Sequence, residues 1–578
     1  MWHNVFLFVP LKIFLLIFLG EFKGIFSYFR LPDLIKITSC LSIFSFVLLV
    51  LRVCFPNNIL LPGREIILSD LLFSILFILF FRASLRIIIN GQLKPQQQNQ
   101  EHLGMLRIAV IGTNDFASQI VAELKTKRVY NMVPVAILDD NRQYFGRNLH
   151  GVPVLGVPEL INDLVEKKNI EGVLFVGNAL PSKRLQTLAQ LAKDLHLKTF
   201  TVPALKDFLA GKAFASRLRP LDVEDFLSRD PIHLNLDDCK KFIENKVICI
   251  TGAGGSIGSE LTYQVAQKCP KTLIIIDHSE FNLFKIQQRL LREGYHCIPI
   301  LLNVSQGDAV RACLEKYKPD AIFHAAAYKH VPMLEDQPLI AVKNNVLSTG
   351  YLALYASELG IKRFVLISTD KAINPINNMG ATKRICEMIC MAMQQRPGNK
   401  TDFMAVRFGN VLGSAGSVLP TFREQIARGG PVTVTHPQMT RFFMSIPEAV
   451  SLILEAFSFK DIANKTFVLD MGKPVKILDV AKQMIELNGL QPGVDIDITY
   501  TGIRPGEKLH EDLIFNTNNI LPTDNKLIGV FKEDLSYVNK MKSISEYLEE
   551  VQKLKTNEDS IRFIQELIPE FKQNEIQL

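Results

Sequence analysis

Apolar and polar positions are arranged differently in the first 90 residues and in the rest of the chain. Three apolar stretches stand out early, at residues 5–19, 37–51 and 66–89, the last of them interrupted. Each uncharged core is shorter than the roughly 20 residues of an ideal membrane-spanning helix, and Pro10 and Lys12 break the first. A cleaved signal peptide needs a basic start and a small-residue cleavage site, and neither is visible. Lys23, Arg30 and Lys36 lie between the first two stretches, and Arg82, Arg86 and Lys94 follow the third. An excess of Lys and Arg marks cytoplasmic flanks, so the N-terminus is expected outside and everything after about residue 90 inside. Arg52 and Arg64 sit on the wrong side of this scheme. The pattern predicts a multi-pass anchor of about three transmembrane helices over residues 1–92, with an interfacial hairpin plus one span as the alternative.

A polar linker, KPQQQNQ, begins at Lys94. Strand and helix patterns then alternate to about residue 515, which predicts parallel α/β architecture. There are two separate starts. RIAVIG at 107–112 leads into a helical run to Lys127 and a strand VAILDD at 135–140, and KVICITG at 246–252 opens a larger unit. The domains predicted are therefore 103–220 and 235–535, joined through an acidic, mixed segment at 221–231. A charged helical tail over 536–578 is expected on the solvated surface.

Length and charge narrow the picture. At 578 residues the chain is long enough for three to four domains. A hydrophobic share of 48% against 21% charged residues excludes both a disordered chain and an all-membrane transporter. The formal charge is +7, but +5 of it falls within the first 100 residues, so no domain tracks nucleic-acid phosphates. Nine cysteines, at 40, 54, 239, 249, 269, 297, 313, 386 and 390, are scattered with no CxxC pair. They are expected as reduced thiols, and no metal site is expected.

The string TGAGGSIGSEL follows an apolar strand and opens a helix, and Gly252, Gly255 and Gly258 give the spacing GxxGxxG. Such a turn lets the backbone approach a pyrophosphate at a helix N-terminus, so Ser256 and Ile257 join the glycines as cofactor-binding candidates. The next strand ends in Asp277, 25 positions after Gly252. An acid there accepts from an adenosine ribose and repels a 2′-phosphate, favouring NAD over NADP. The earlier unit keeps only Gly112 of such a triplet, with Asn114 and Ala117 where glycines would fall, which makes it a degenerate version with a structural or regulatory role. The fold class expected is thus α/β: N-terminal transmembrane helices, then two Rossmann-like, doubly wound parallel-sheet domains.

Further on, AIFHAAA ends a strand in Ala325, Ala326 and Ala327, small enough for a cofactor to lie close, and Tyr328, Lys329 and His330 follow at the same edge. His330 has no metal-ligand spacing with another histidine or acid. The strand RFVLIS runs directly into Thr369, Asp370 and Lys371, a hydroxyl, an acid and an amine at a strand end. Met379 and Lys383 share a helix face at i, i+4.

Taken together, TGAGGSIGSEL, AAAYKHVPMLE, STDKAINP, MGATKR, RFGNVLGSAGSV and RPGEKLHEDL resemble the extended short-chain dehydrogenase/reductase superfamily. More narrowly, they resemble its membrane-anchored nucleotide-sugar 4,6-dehydratases of bacterial polysaccharide and glycan biosynthesis. The resemblance implies oxidation of the sugar C4 hydroxyl by bound NAD(P)⁺, loss of water across C5 and C6, and return of the hydride to C6. It implies Lys371 as the base at C5, Asp370 as the acid at C6, Thr369 on the C4 oxygen, and Lys383 on the nicotinamide ribose. A lysine base requires a lowered pKa. The tyrosine usual in the wider superfamily is Met379 here, as in the dehydratase branch. A thioether is no base, so Asp370, Lys371, Thr369 through a water, or another group remain open as the one that deprotonates the C4 hydroxyl. Asn303 stands where the family commonly has an aspartate facing adenine. Arg441 and Arg504 are implied as contacts to the diphosphate and nucleotide, and Lys329, His330 and Asn410 as the lining of the sugar pocket.

The resemblance thus implies a homo-oligomeric enzyme of the bacterial inner membrane, catalytic domain in the cytoplasm, dehydrating a UDP-N-acetylhexosamine, with UDP-N-acetylglucosamine the first candidate. A C4 epimerase, a dehydratase that also inverts C5, and a non-catalytic NAD-sensing scaffold are the rivals. An epimerase has no need of the Asp370–Lys371 pair, and a scaffold no need of Lys371 and Lys383.

Overall fold

The computed structural model describes residues 31–56, 63–92, 105–126, 131–176, 182–202, 219–220, 237–511, 519–532 and 543–571. Two compact units divide the chain, residues 1–105 and 106–578.

In the first unit the second and third apolar stretches form helices, Leu31–Cys54 and Arg64–Gln92. The stretch at 5–19 lies outside the described residues. The second and third stretches do not meet the expectation of membrane spans: among the described residues no helix is long and apolar enough to cross a membrane. Charge placement gives the reason. Lys36 and Arg52 confine the uncharged part of the first helix to 37–51, about 22 Å at 1.5 Å per residue, against about 30 Å of hydrocarbon. Asp70 and Arg82 confine the second helix still more tightly. Buried positions are few, with Leu41, Ser45 and Leu48 on one helix and Ile67 on the other. Ile43, Phe46, Phe73, Phe77 and Phe80 are 65% to 72% exposed.

The second unit carries two main sheets, one of seven strands and one of nine. In the smaller, strands β1 (Leu106–Ile111), β2 (Met132–Leu138), β3 (Asn148–Leu149), β4 (Val152–Gly156), β5 (Gly172–Val176), β6 (Lys198–Val202) and β7 (Arg219–Pro220) form one sheet in the order β3-β4-β2-β1-β5-β6-β7. Only the β3–β4 and β6–β7 pairings are antiparallel. Alternate residues serve opposite faces. Ile108, Val110 and Leu174 pack under the helix Asp115–Thr126, whereas Ala109, Ile111 and Phe175 pack under Ile161–Lys168 and Ser182–Asp194. That two-sided burial is what a doubly wound sheet requires. The second unit thus contains two separate sheets, while the expected linkers at 94–100 and 221–231 lie outside the described residues.

The larger domain is built on strands β8 (Val247–Thr251), β9 (Thr272–Asp277), β10 (Ile298–Leu301), β11 (Ala321–His324), β12 (Arg363–Ile367), β13 (Asp402–Arg407), β14 (Lys465–Leu469), β15 (Ile520–Pro522) and β16 (Ile528–Phe531). Their order is β10-β9-β8-β11-β12-β13-β14-β16-β15. Strands β8 to β14 pair in parallel, and β14–β16 and β15–β16 are antiparallel. Strand order reverses between β8 and β11, which opens a crevice at the carboxyl ends of these strands. A third cluster of apolar residues, around Phe422, Val432, Phe443, Val480 and Ile485, forms the core of a lobe beyond β13.

The tail departs from expectation. Instead of lying solvated on the surface, helices Ile544–Lys553 and Asn557–Leu567 bury Tyr547, Leu548, Val551, Phe563 and Ile564 in the main core, beside Tyr351 and Ile385. Their charged residues occupy only the outer face, and that face dominates the composition. Leu548 sits against Gly350, where a Cβ would come within 2.5 Å of it.

Candidate active site

The glycine turn after β8 is shaped by contacts that exclude side chains. A Cβ on Gly258 would lie 1.9 Å from the Gly252 carbonyl oxygen, and one on Gly252, whose φ is +66°, would lie 2.6 Å from the Ala326 nitrogen. Gly255 N-caps the helix Ser256–Ala266. Ser256 accepts a hydrogen bond from the Ala415 N–H at 3.2 Å, tying the turn to the loop beyond β13, while Ile257 packs on the core below. Asp277 closes the turn, accepting from the N–H of Gly254 and of Ser279, each at 2.9 Å. Gly254 went unnoticed in the glycine spacing, yet a Cβ there would meet Asn282 at 2.5 Å. Asn303 spends its carbonyl oxygen on Ser305, 3.0 Å from the N–H and 2.8 Å from the hydroxyl, and its amide nitrogen has no partner among the described residues.

Below the Ala325–Ala327 edge runs a buried chain of hydrogen bonds. Thr349 donates to the Asn345 carbonyl at 2.9 Å, so it accepts from His324 Nε2 at 3.0 Å, and His324 Nδ1 then accepts from Thr251 at 2.8 Å. Burial, with the Lys383 charge nearby, pulls His324 down to about 3, so it stays a neutral relay. Asn345 lies on a π-helical turn, Val342–Val346. Its side chain accepts from the Tyr328 N–H at 2.9 Å and donates to the Tyr328 carbonyl and to Thr382. No sequence motif pointed to this residue. Lys329 and His330 are exposed at the strand edge, and the His330 ring rests against Gly416.

Thr369, Asp370 and Lys371 do come together. Asp370 Oδ1 accepts from the Thr369 hydroxyl at 2.9 Å and from Lys371 Nζ at 3.0 Å. Lys371 also donates to Asn410 Oδ1 at 3.2 Å and faces Glu511 Oε1 at 3.5 Å. Burial works against the Lys371 ammonium, but Asp370 and Glu511 together hold it above the ordinary lysine value. The lowered value required of a resting lysine base is therefore not what the site provides. Glu511, inside RPGEKLHEDL, had been given no role; that string was its only signal in the sequence.

The helix Asn378–Gln395 carries Met379 and Lys383. Gly380 lets it dock, since a Cβ there would lie 2.1 Å from the Lys371 carbonyl oxygen. Met379 is buried in a small apolar cluster with Val331, Leu334 and Ala341 and carries no acid or base. Lys383 is 5% exposed, and its ammonium has neither a hydrogen bond nor an ion pair among the described residues. One turn on, Glu387 receives Arg407 in a two-point ion pair at 2.7 and 2.6 Å and Ser368 at 2.6 Å. Burial would raise its pKa, but Arg407 overrides that and holds it below the ordinary glutamate range.

Arg441 differs from expectation. Its guanidinium donates to the carbonyls of Thr440, Leu509 and Lys508 at 2.7, 3.2 and 2.9 Å and lies 3.8 Å from Glu511, so it clamps the 504–511 segment rather than presenting a free fork to phosphate. Arg504 is exposed on that same segment. Asn377 fastens the segment from the other side, donating to the Gly506 carbonyl at 2.9 Å while capping its own helix through Gly380.

These groups fit a dinucleotide: the turn has room only for backbone beside a pyrophosphate, and Lys383 offers a buried amine with no hydrogen-bond or ion-pair partner among the described residues. Known proteins are similar to this chain. The capsular polysaccharide biosynthesis protein CapD of Staphylococcus aureus is 42% identical over 417 residues, covering 72% of this chain and 69% of that one. The probable polysaccharide biosynthesis protein EpsC of Bacillus subtilis is 41% identical with the same coverage. A UDP-N-acetylglucosamine 4,6-dehydratase (inverting) of Campylobacter jejuni is 33% identical over 279 residues, 48% of this chain and 79% of that protein. A family model described as polysaccharide biosynthesis protein matches residues 248–533, from the glycine turn through the Lys371 cluster to β16. The chain belongs to the polysaccharide biosynthesis protein family.

Proposed function

We propose that the chain is an NAD-dependent 4,6-dehydratase of a UDP-N-acetylhexosamine, UDP-N-acetylglucosamine first among them, yielding a 4-keto-6-deoxy nucleotide sugar. The observation that carries this reading is the Lys371–Asp370 hydrogen bond at 3.0 Å, at the carboxyl edge of the sheet and across the crevice from the glycine turn. Gly252, Gly255, Gly258 and Asp277 would hold NAD, with Lys383 on its nicotinamide ribose; when bound, it supplies the hydride acceptor and donor. NAD rather than NADP follows from Asp277, whose carboxylate repels a 2′-phosphate.

Elimination of water needs a base for the C5 proton and an acid for the departing C6 hydroxyl. One proton moving from Lys371 Nζ to Asp370 Oδ1 supplies both, since it converts an ammonium–carboxylate pair into an amine and a carboxylic acid. Thr369 steers Asp370 through its own hydrogen bond, and Asn410 orients the lysine. An epimerase does without this pair. The exposed apolar faces of the two N-terminal helices support placement of the protein at the cytoplasmic face of a membrane, which membrane fractionation of the full chain tests.

The deciding experiment is mass spectrometry and NMR of UDP-N-acetylglucosamine incubated with the protein and NAD⁺ in heavy water. Loss of one water with deuterium at C5 is expected, and the C5 coupling constants report whether that centre inverts. Unchanged mass with a C4 epimer overturns the reading in favour of epimerisation.

A further inference from the structure

Lys371 is enclosed by groups from several separate segments. Asp370 lies on its own turn, and Asn410 comes from the loop after β13. Glu511 and, behind it, Arg441 come from the far lobe, with Glu511 Oε1 at 3.5 Å from Lys371 Nζ and 3.8 Å from Arg441 Nε. Glu511 is 9% exposed, and its position is not left to a flexible loop. Arg441 clamps the carbonyls of Lys508 and Leu509, and Asn377 clamps that of Gly506. A buried carboxylate delivered this firmly to a buried ammonium acts on that ammonium's proton, since at such range and burial the interaction is screened little by solvent.

We propose that Glu511 is a positioning residue that decides where the proton shared by Lys371 and Asp370 resides. Its negative charge favours the ammonium form, with the proton on Nζ. The amine–carboxylic acid form, with the proton on Asp370 Oδ1, is reached against that charge. The step breaks one N–H bond and forms one O–H bond within the pair, and nothing else is consumed. Glu511 thereby keeps the elimination machinery disarmed in the resting protein. This rests on the dehydratase reading for its catalytic consequence, but not for its electrostatic one.

The test is therefore in two parts. The titration of Lys371 is followed without substrate, by competitive acetylation across pH with mass-spectrometric readout of the peptide carrying it, in wild type and in Glu511→Gln. The midpoint is expected to fall by one pH unit or more in the variant. The pH profile of kcat is then measured with UDP-N-acetylglucosamine. Its acidic limb is expected to move down by a similar interval while KM changes less than twofold. Glu511→Asp, which withdraws the carboxylate by one carbon, is expected to move both midpoints down by less. An unmoved Lys371 midpoint in folded Glu511→Gln overturns the proposal whatever the activity. If that variant does not fold, an unmoved midpoint in Glu511→Asp overturns it instead. A lowered Lys371 midpoint in Glu511→Gln, together with a wild type that turns over no UDP-N-acetylhexosamine, supports the electrostatic role and rejects the dehydratase reading.

Discussion

Two clusters of buried charge, Glu387 with Arg407 and Lys371 with Asp370 and Glu511, each bring opposite charges together. The Glu387–Arg407 pair is almost wholly excluded from solvent and sits under Ser368, the residue before the reactive triplet. Its value is conditional: with both partners present the desolvation is offset, and with one removed the other is stranded. Glu387→Gln is expected to cost about 3–5 kcal/mol in urea unfolding. The folded pKa of Glu387 lies below its ordinary value. The pair's contribution is therefore complete above about pH 4.5 and lost as pH falls through the lower folded value. The stability gap between wild type and variant should close over that acidic window, and a gap unchanged there would contradict the assignment. Glycine carries an equal share of the site's geometry. Gly258→Ala places a methyl where the Gly252 carbonyl already lies, so NADH affinity, followed by fluorescence titration, is expected to fall at least tenfold.

At the scale of elements, the glycine turn, the β12 edge and the helix Asn378–Gln395 are close to what sequence pattern alone specifies. Local chemistry dictates each: a tight turn needs glycine, an apolar run buried on both faces needs helices above and below, and a reactive triplet at a strand end needs no distant partner to be seen. The tail helices were misjudged because a helix with one apolar stripe and a charged remainder reads alike whether or not something covers the stripe. Here the stripe is covered by the core. Leu548→Ala is expected to destabilise the protein by about 2–4 kcal/mol, and ending the chain before Ile544 to expose the face around Tyr351 and Ile385 and send the protein into aggregates. A truncated chain that melts like the full one would show that the tail is not part of the core. The N-terminal helices erred the other way. Apolar composition suggested spans, whereas the spacing of Lys36, Arg52, Asp70 and Arg82 leaves no uncharged run of about 20 residues in either described helix.

For the whole molecule, the division at Met105 separates the two N-terminal helices from everything that bears on chemistry. The chain from Leu106 onward is expected to fold, to melt cooperatively and to keep the turnover of UDP-N-acetylglucosamine proposed for the full chain, and inactivity of that folded piece beside an active full chain would tie the first unit to catalysis. Order along the chain settles the α/β class, the two starts, the dinucleotide turn and the Thr369–Asp370–Lys371 triplet, because each depends on residues within a few positions of one another. Tertiary structure alone decides what surrounds them. It sets Glu511 beside Lys371 from 140 positions away, turns Arg441 from a phosphate candidate into a clamp on backbone carbonyls, and leaves Lys383 buried without a hydrogen-bond partner among the described residues. Protonation and burial are properties of what lies within a few ångströms, and no spacing along the sequence encodes which distant carboxylate will arrive there.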